Sequence, residues 1–92
     1  MPALTAAEVA SRITTLPAWK IEAGELTRTF KFDDFRGSLR FVNQVGDIAE
    51  KAGHHPDIDI RYNRVRLALV THDEGGLTSK DFELAAQADK LS

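Results

Sequence analysis

The chain has 92 residues, no cysteine and a formal net charge of −2. A chain of this size buries only about 60–65 % of its unfolded surface, so the expectation is one domain over residues 1–92, with self-association a common remedy for a thin stability margin. The charge leaves no basic surplus for nucleic acid, the lack of Cys excludes disulfides, thiolate zinc sites and thiol nucleophiles, and no apolar run approaches the ~18 residues of a membrane helix. The opening MPALTAAEVA lacks the basic-then-apolar layout of a secretion signal, so a cytoplasmic protein is expected.

The first element reads LTAAEVASRI. Thr5 is the candidate N-cap with Glu8 as its capping-box partner, Val9, Ile13 and Leu16 fall roughly on one face, and Pro17 stops the helix. AWKIEAGELTRTFKF reads as a hairpin. Trp19 and Ile21 alternate before a turn at Glu22-Ala23-Gly24-Glu25. Leu26, Phe30 and Phe32 then share one face, with Arg28 among them and Thr27, Thr29 and Lys31 opposite.

DDFRGSLRFVNQVGDIAEKAG is the long helix, capped by Asp33 or Asp34 and ended by Gly53. Phe35, Leu39, Val42, Val45 and Ala49 form its apolar stripe, widened by Phe41 and Ile48. Gly37 and Gly46 suit a close approach by another helix. DIDIRYNRVRLALVT is a second hairpin, with Ile58, Ile60 and Tyr62 on one face, Val65, Leu67 and Leu69 likewise, and a two-residue turn at Asn63-Arg64. After the loop HDEGGL, Thr78 opens a last helix, TSKDFELAAQADKL, with Asp81 at the capping-box position. This order predicts a two-layer α+β domain, a four-stranded antiparallel sheet with three helices packed on one face.

The three histidines all lie in the second half. His54 and His55 sit in EKAGHHPDI, just past a helix C-terminus, and His72 sits just past the last strand. The two ends of an antiparallel hairpin are adjacent, so this fold brings the three imidazoles to one end of the sheet. Spacing alone leaves three readings open. One is general acid/base chemistry near neutral pH. Another is a zinc site, although adjacent histidines usually project in different directions. The third is a capping role at the helix dipole. Glu50 lies one helical turn before His54, within reach of that imidazole, but taken alone it reads better as a solvated carboxylate. Asp81 reads first as a cap, Gly75-Gly76 as a tight loop, Arg61, Arg64 and Arg66 as a solvated edge, and Trp19 and Tyr62 as core or interface residues on the strands' apolar faces.

Taken together, Glu50, His54-His55-Pro56, Tyr62, His72 and Asp81 match a known pattern: an acidic residue, His-His-Pro, an aromatic, a His and an Asp at set spacing. The flanks LPAW, TRTFKFDDF, FVNQV, HHPDIDIRYNRV and THDEGGLTSKDFELA agree. Over nearly its whole length the sequence resembles the pterin-4a-carbinolamine dehydratase family. One departure is Ser38 in FRGSLRF, where the family usually places Ala at this position or beside it. The resemblance implies dehydration of 4a-hydroxytetrahydropterin to quinonoid dihydropterin, in recycling the pterin of aromatic amino acid hydroxylases, with no metal or organic cofactor. It implies that His54 and His72 are the acid/base pair, with His72 at the leaving hydroxyl and His54 at N5. It makes His55 a substrate-orienting residue and Glu50 the group that either fixes the tautomer of His54 or raises its pKa by favouring imidazolium. Asp81 would reach the site from the last helix, and Pro56 would fix the backbone that aims the imidazoles. It also implies homodimers through sheet edges and homotetramers through the long helix. Some relatives are instead protein-binding partners, a role that would use the helical face.

Overall fold

The computed structural model describes residues 2–92. They form α1 (Ala6–Ile13), β1 (Lys20–Glu22), β2 (Glu25–Lys31), α2 (Phe35–Ala52), β3 (Asp57–Arg61), β4 (Arg64–Leu69), a 3-10 turn (His72–Glu74) and α3 (Ser79–Asp89). Each helix begins at a residue that the sequence marks as a cap. Thr5 and Glu8 form a capping box, Asp34 Oδ1 accepts from Gly37 N–H at 2.8 Å, and Thr78 and Asp81 form the second box.

The four strands make one antiparallel sheet in the order β1-β2-β4-β3. In the β2–β4 register Leu26 faces Leu69 and Phe30 faces Val65, so the apolar alternation of both strands lands on one side. The helices pack on that side. Phe41, Val45 and Ala49 of α2 and Phe82, Leu84, Ala85 and Ala88 of α3 are buried there, while Val9 and Ile13 of α1 pack against the margin. On the other face Thr29, Lys31, Asp57, Asp59, Arg64 and Arg66 are polar and exposed, while the paired Thr27 and Ala68 are buried. No helix among the described residues is long and apolar enough to cross a membrane.

Three local expectations are corrected. First, the buried stripe of α2 runs through Ser38, Phe41, Val45 and Ala49, while Phe35 is 46 % and Leu39 39 % exposed. Phe41 takes the inward position because its ring meets Phe30 at 4.5 Å and Phe32 at 5.0 Å between centroids. Ser38 is turned inward by a 2.7 Å bond from its hydroxyl to the Tyr62 carbonyl. Gly37 serves an approach within the chain, since a Cβ there would sit 3.0 Å from the Phe32 Cβ, whereas at Gly46 it would meet open space.

Second, Trp19 and Ile21 do not share a buried strand face. Trp19 precedes β1 and is 3 % exposed, whereas Ile21, on the edge strand, is 41 % exposed. Third, the second hairpin turns at Tyr62-Asn63, one residue earlier than expected, because Arg61 pairs with Arg64. Tyr62 takes the positive φ of 51° and is 65 % exposed, so it is not on an apolar strand face. Asn63 is occupied elsewhere: its carbonyl accepts from Phe32 N–H at 2.8 Å and its amide donates to the Phe32 carbonyl at 3.1 Å.

Asp89, near the end of α3, joins three elements. Its Oδ1 accepts from the Trp19 indole N–H at 2.8 Å and from Arg28 at 2.6 Å, and the Arg28 guanidinium lies 4.1 Å from the Phe30 ring centroid. Arg28 therefore sits on the apolar face without being a stray charge. Asp89→Ala leaves the indole N–H and the guanidinium without this acceptor. Urea denaturation should show a loss of about 1–3 kcal/mol.

Candidate functional site

The site begins where α2 stops. Gly53 adopts a φ of 65°, a left-handed conformation that glycine enters without steric cost. The His54 N–H then donates to the Ala49 carbonyl at 3.1 Å, completing a Schellman-type ending. This reversal sends His54 toward α3 and leaves His55 against the last turn of α2. Pro56, which could not continue the helix, leads into β3.

His54 Nε2 lies 2.5 Å from Asp81 Oδ1. The Asp81 side chain is fully buried and that of His54 only 12 % exposed. Asp81 Oδ2 accepts from the Thr78 N–H and from the Thr71 hydroxyl, each at 2.9 Å. Three donors thus converge on two oxygens. The backbone N–H cannot reverse its polarity, so Oδ2 is held as an acceptor. An ionised Asp81 pairs with His54 through Nε2–H. Burial of this carboxylate is tolerated because each oxygen is bonded, and no buried side-chain polar atom among the described residues lacks a partner.

Glu50 does not do what its spacing suggests. It pairs with His55 Nε2 rather than with His54, and this pair is open to solvent, with side chains 78 % and 61 % exposed. The helix-ending reversal at Gly53 is the reason, since it breaks the i, i+4 relation that would have stacked Glu50 on His54.

His72 is exposed and opens the 3-10 turn, whose end is closed by the Gly75 N–H on the His72 carbonyl at 3.1 Å. The pairing of Asp57 with Ala68 sets the start of β3 beside the end of β4, as the hairpin argument requires. All three imidazoles line one concavity of about 300 Å³, together with Gly53, Val70, Thr71, Asp73 and Lys80. That is at the lower end of volumes that hold small ligands. A second concavity of about 320 Å³ shares His54 and Lys80 and is otherwise formed by Ala52, Glu83, Leu84 and Gln87. Among the described residues no group of three or more His, Asp or Glu side chains is arranged to hold one metal ion.

Sequence reasoning missed Thr71, Asp73 and Lys80. For Thr71 a signal was present. Val65, Leu67 and Leu69 point inward with period 2, and extending that alternation places the next side chain, a hydroxyl, inward at Thr71.

A family model described as Pterin 4 alpha carbinolamine dehydratase matches residues 2–91. A protein of Acidobacterium capsulatum provisionally named pterin-4-alpha-carbinolamine dehydratase is 58 % identical over 91 residues, 99 % of each chain. One of Chloroflexus aurantiacus with the same provisional name is 56 % identical, covering 99 % of this chain and 98 % of its own. The crystal structure of a transcriptional coactivator/pterin dehydratase from Brucella melitensis superposes with a TM-score of 0.93 at 35 % identity, over 97 % of both chains. A pterin dehydratase-like protein identified as a RuBisCO assembly factor in the alpha-carboxysome shares the fold, with a TM-score of 0.70 at 22 % identity over 80 % of this chain and 88 % of its own.

The two carboxylate–imidazole pairs should respond differently to truncation. Asp81→Ala removes three acceptor contacts in a buried place and leaves the Thr78 N–H without its partner. A loss of about 2–4 kcal/mol is expected by chemical denaturation. Glu50→Ala, at an exposed pair, should stay within about 0.5 kcal/mol of the parent protein.

Proposed function

The chain belongs to the pterin 4 alpha carbinolamine dehydratase family, and from that membership we propose that it is a hydro-lyase acting on a 4a-hydroxytetrahydropterin. The observation that carries the reading is the convergence of His54, His55 and His72 on one concavity, with His54 held by a buried carboxylate. In the reaction the C4a–O bond breaks and the N5–H proton is lost as C4a=N5 forms. The products are quinonoid dihydropterin and water.

Hydroxide is a poor leaving group, so an acid must protonate the departing oxygen. His72, exposed at the rim, takes that role as imidazolium. His54 serves at N5. With Nε2–H directed to Asp81, its Nδ1 lone pair is the free base of that ring. Orientation by a fixed carboxylate is the means by which imidazoles are kept in a working tautomer in unrelated acid/base sites. His55 lies along the cavity wall as a substrate-orienting residue, with Glu50 fixing its ring rather than that of His54. Pro56 restricts the backbone that follows the two imidazoles. We further propose that the enzyme serves tetrahydropterin recycling for an aromatic amino acid hydroxylase, in the cytoplasm, without metal or organic cofactor.

Dehydration of 4a-hydroxytetrahydropterin, followed by absorbance, tests the reading. His54→Ala and His72→Ala should each lower kcat by about 10²–10⁴-fold while the protein stays folded. A parent protein no faster than buffer would overturn the assignment.

A second reading concerns association. Phe35, Leu39, Ile58 and Tyr62 are large apolar side chains left exposed, and the Ser38–Tyr62 bond brings the first half of α2 beside the β3–β4 turn. Covered by a second copy, these residues would form homodimers or homotetramers. Covered by another protein, they would support a binding role in place of catalysis or beside it. Phe35→Glu combined with Leu39→Glu should reduce the mass seen by sedimentation velocity if α2 joins copies of the chain. An unchanged mass would exclude α2 as the contact.

A further inference from the structure

We propose that Thr71 is a positioning residue that holds the His54 and His72 segments in one fixed relation. The proposal rests on the dehydratase reading and adds a residue to it. Three observations converge on Thr71. Its hydroxyl donates to Asp81 Oδ2 at 2.9 Å, directly behind the bond from Asp81 to His54. The same oxygen lies 2.8 Å from Thr78 Oγ1. Its backbone closes the turn that begins at His72, for the Thr71 carbonyl accepts from Glu74 N–H at 3.1 Å and its N–H donates to the Gly76 carbonyl at 3.1 Å.

The direction of each bond follows from proton counting. Asp81 is an acceptor on both oxygens, so Thr71 must donate its single hydroxyl proton to Oδ2. The contact with Thr78 can then be satisfied only if Thr78 donates to Thr71. The result is a chain in which Thr78 donates to Thr71 and Thr71 to Asp81, while His54 Nε2–H donates to Asp81 from the other side, with Thr78 and Asp81 both fully buried. Thr71 is the member of this chain whose backbone also carries the His72 turn. One residue therefore sets where the His54 carboxylate points and where the His72 turn starts. Chains of this kind fix a single arrangement when every member is satisfied.

Thr71→Val keeps the shape, removes the donor to Asp81 and leaves the Thr78 hydroxyl without its acceptor. Thr71→Ser keeps both bonds. For Thr71→Val we expect kcat to fall on the order of 10-fold or more, with KM changed less, and for Thr71→Ser a return to within about 3-fold of the parent enzyme. The side-chain ¹⁵N signals of His54 give a readout that packing alone would not move. The parent protein should carry the proton on Nε2, and Thr71→Val should show a mixture of tautomers. If Thr71→Val does not fold, Thr71→Cys replaces it, its thiol being a weaker donor of similar size. Parent-like kcat together with unchanged His54 signals in the variant would overturn the proposal. Should the parent protein itself be inactive, the dehydratase reading fails, and the His54 signals alone decide for or against Thr71.

Discussion

Asp81 carries its carboxylate to 0 % exposure, where a charge left without partners would destabilise the fold by several kcal/mol. Three donors from three segments prevent that: the Thr78 N–H at the start of α3, the Thr71 hydroxyl just after β4 and the His54 imidazole just after α2. The same bonds that make the charge tolerable therefore tie α2, β4 and α3 together at one end of the sheet. They also set His54 Nε2 against Asp81 Oδ1. Folding and chemistry share one constraint here, because a group that caps a helix is also the group that orients an imidazole.

The contrast with Glu50 and His55 clarifies what that constraint does. Both pairs join a carboxylate to an imidazole, yet one is enclosed and the other is washed by solvent. Water screens the exposed pair, so it can bias the rotamer of His55 but contributes little to the fold. His72 is held differently again, by the backbone of a short turn rather than by a side-chain partner. The three imidazoles thus meet at one cavity with three degrees of restraint, which suits the proposed division between a base, an acid and a ring that steers the substrate.

Much of this was legible in the sequence. The caps at Thr5, at Asp33 or Asp34 and at Thr78 and the stop at Gly53 were visible because each depends on a local rule linking residue type to backbone geometry. The gathering of His54, His55 and His72 followed from the antiparallel pairing of one hairpin. What escaped were choices settled by tertiary packing. Helical periodicity offered α2 two overlapping stripes, and the rings of Phe30 and Phe32 selected the one containing Phe41. The turn at Tyr62-Asn63 was decided by the bonds that Asn63 makes to Phe32, which no local preference reveals. The assignment of Glu50 to His54 failed because it continued a helical relation past a left-handed glycine. Asp81 looked like a cap and is one. Its second role depends on a histidine distant in sequence.

Asp81→Asn tests the account most directly, because it changes one atom of the carboxylate and keeps its shape. An amide oxygen turned to the Thr78 N–H preserves the cap and puts an NH₂ group against His54, which then has to offer a lone pair at Nε2 and carry its proton on Nδ1. A folded protein is expected, with kcat for pterin dehydration lower by roughly 10²-fold or more, as when an acid/base imidazole is held in the wrong tautomer. A folded Asp81→Asn protein with undiminished kcat would contradict it, for His54 would then work without the carboxylate that is argued to orient it.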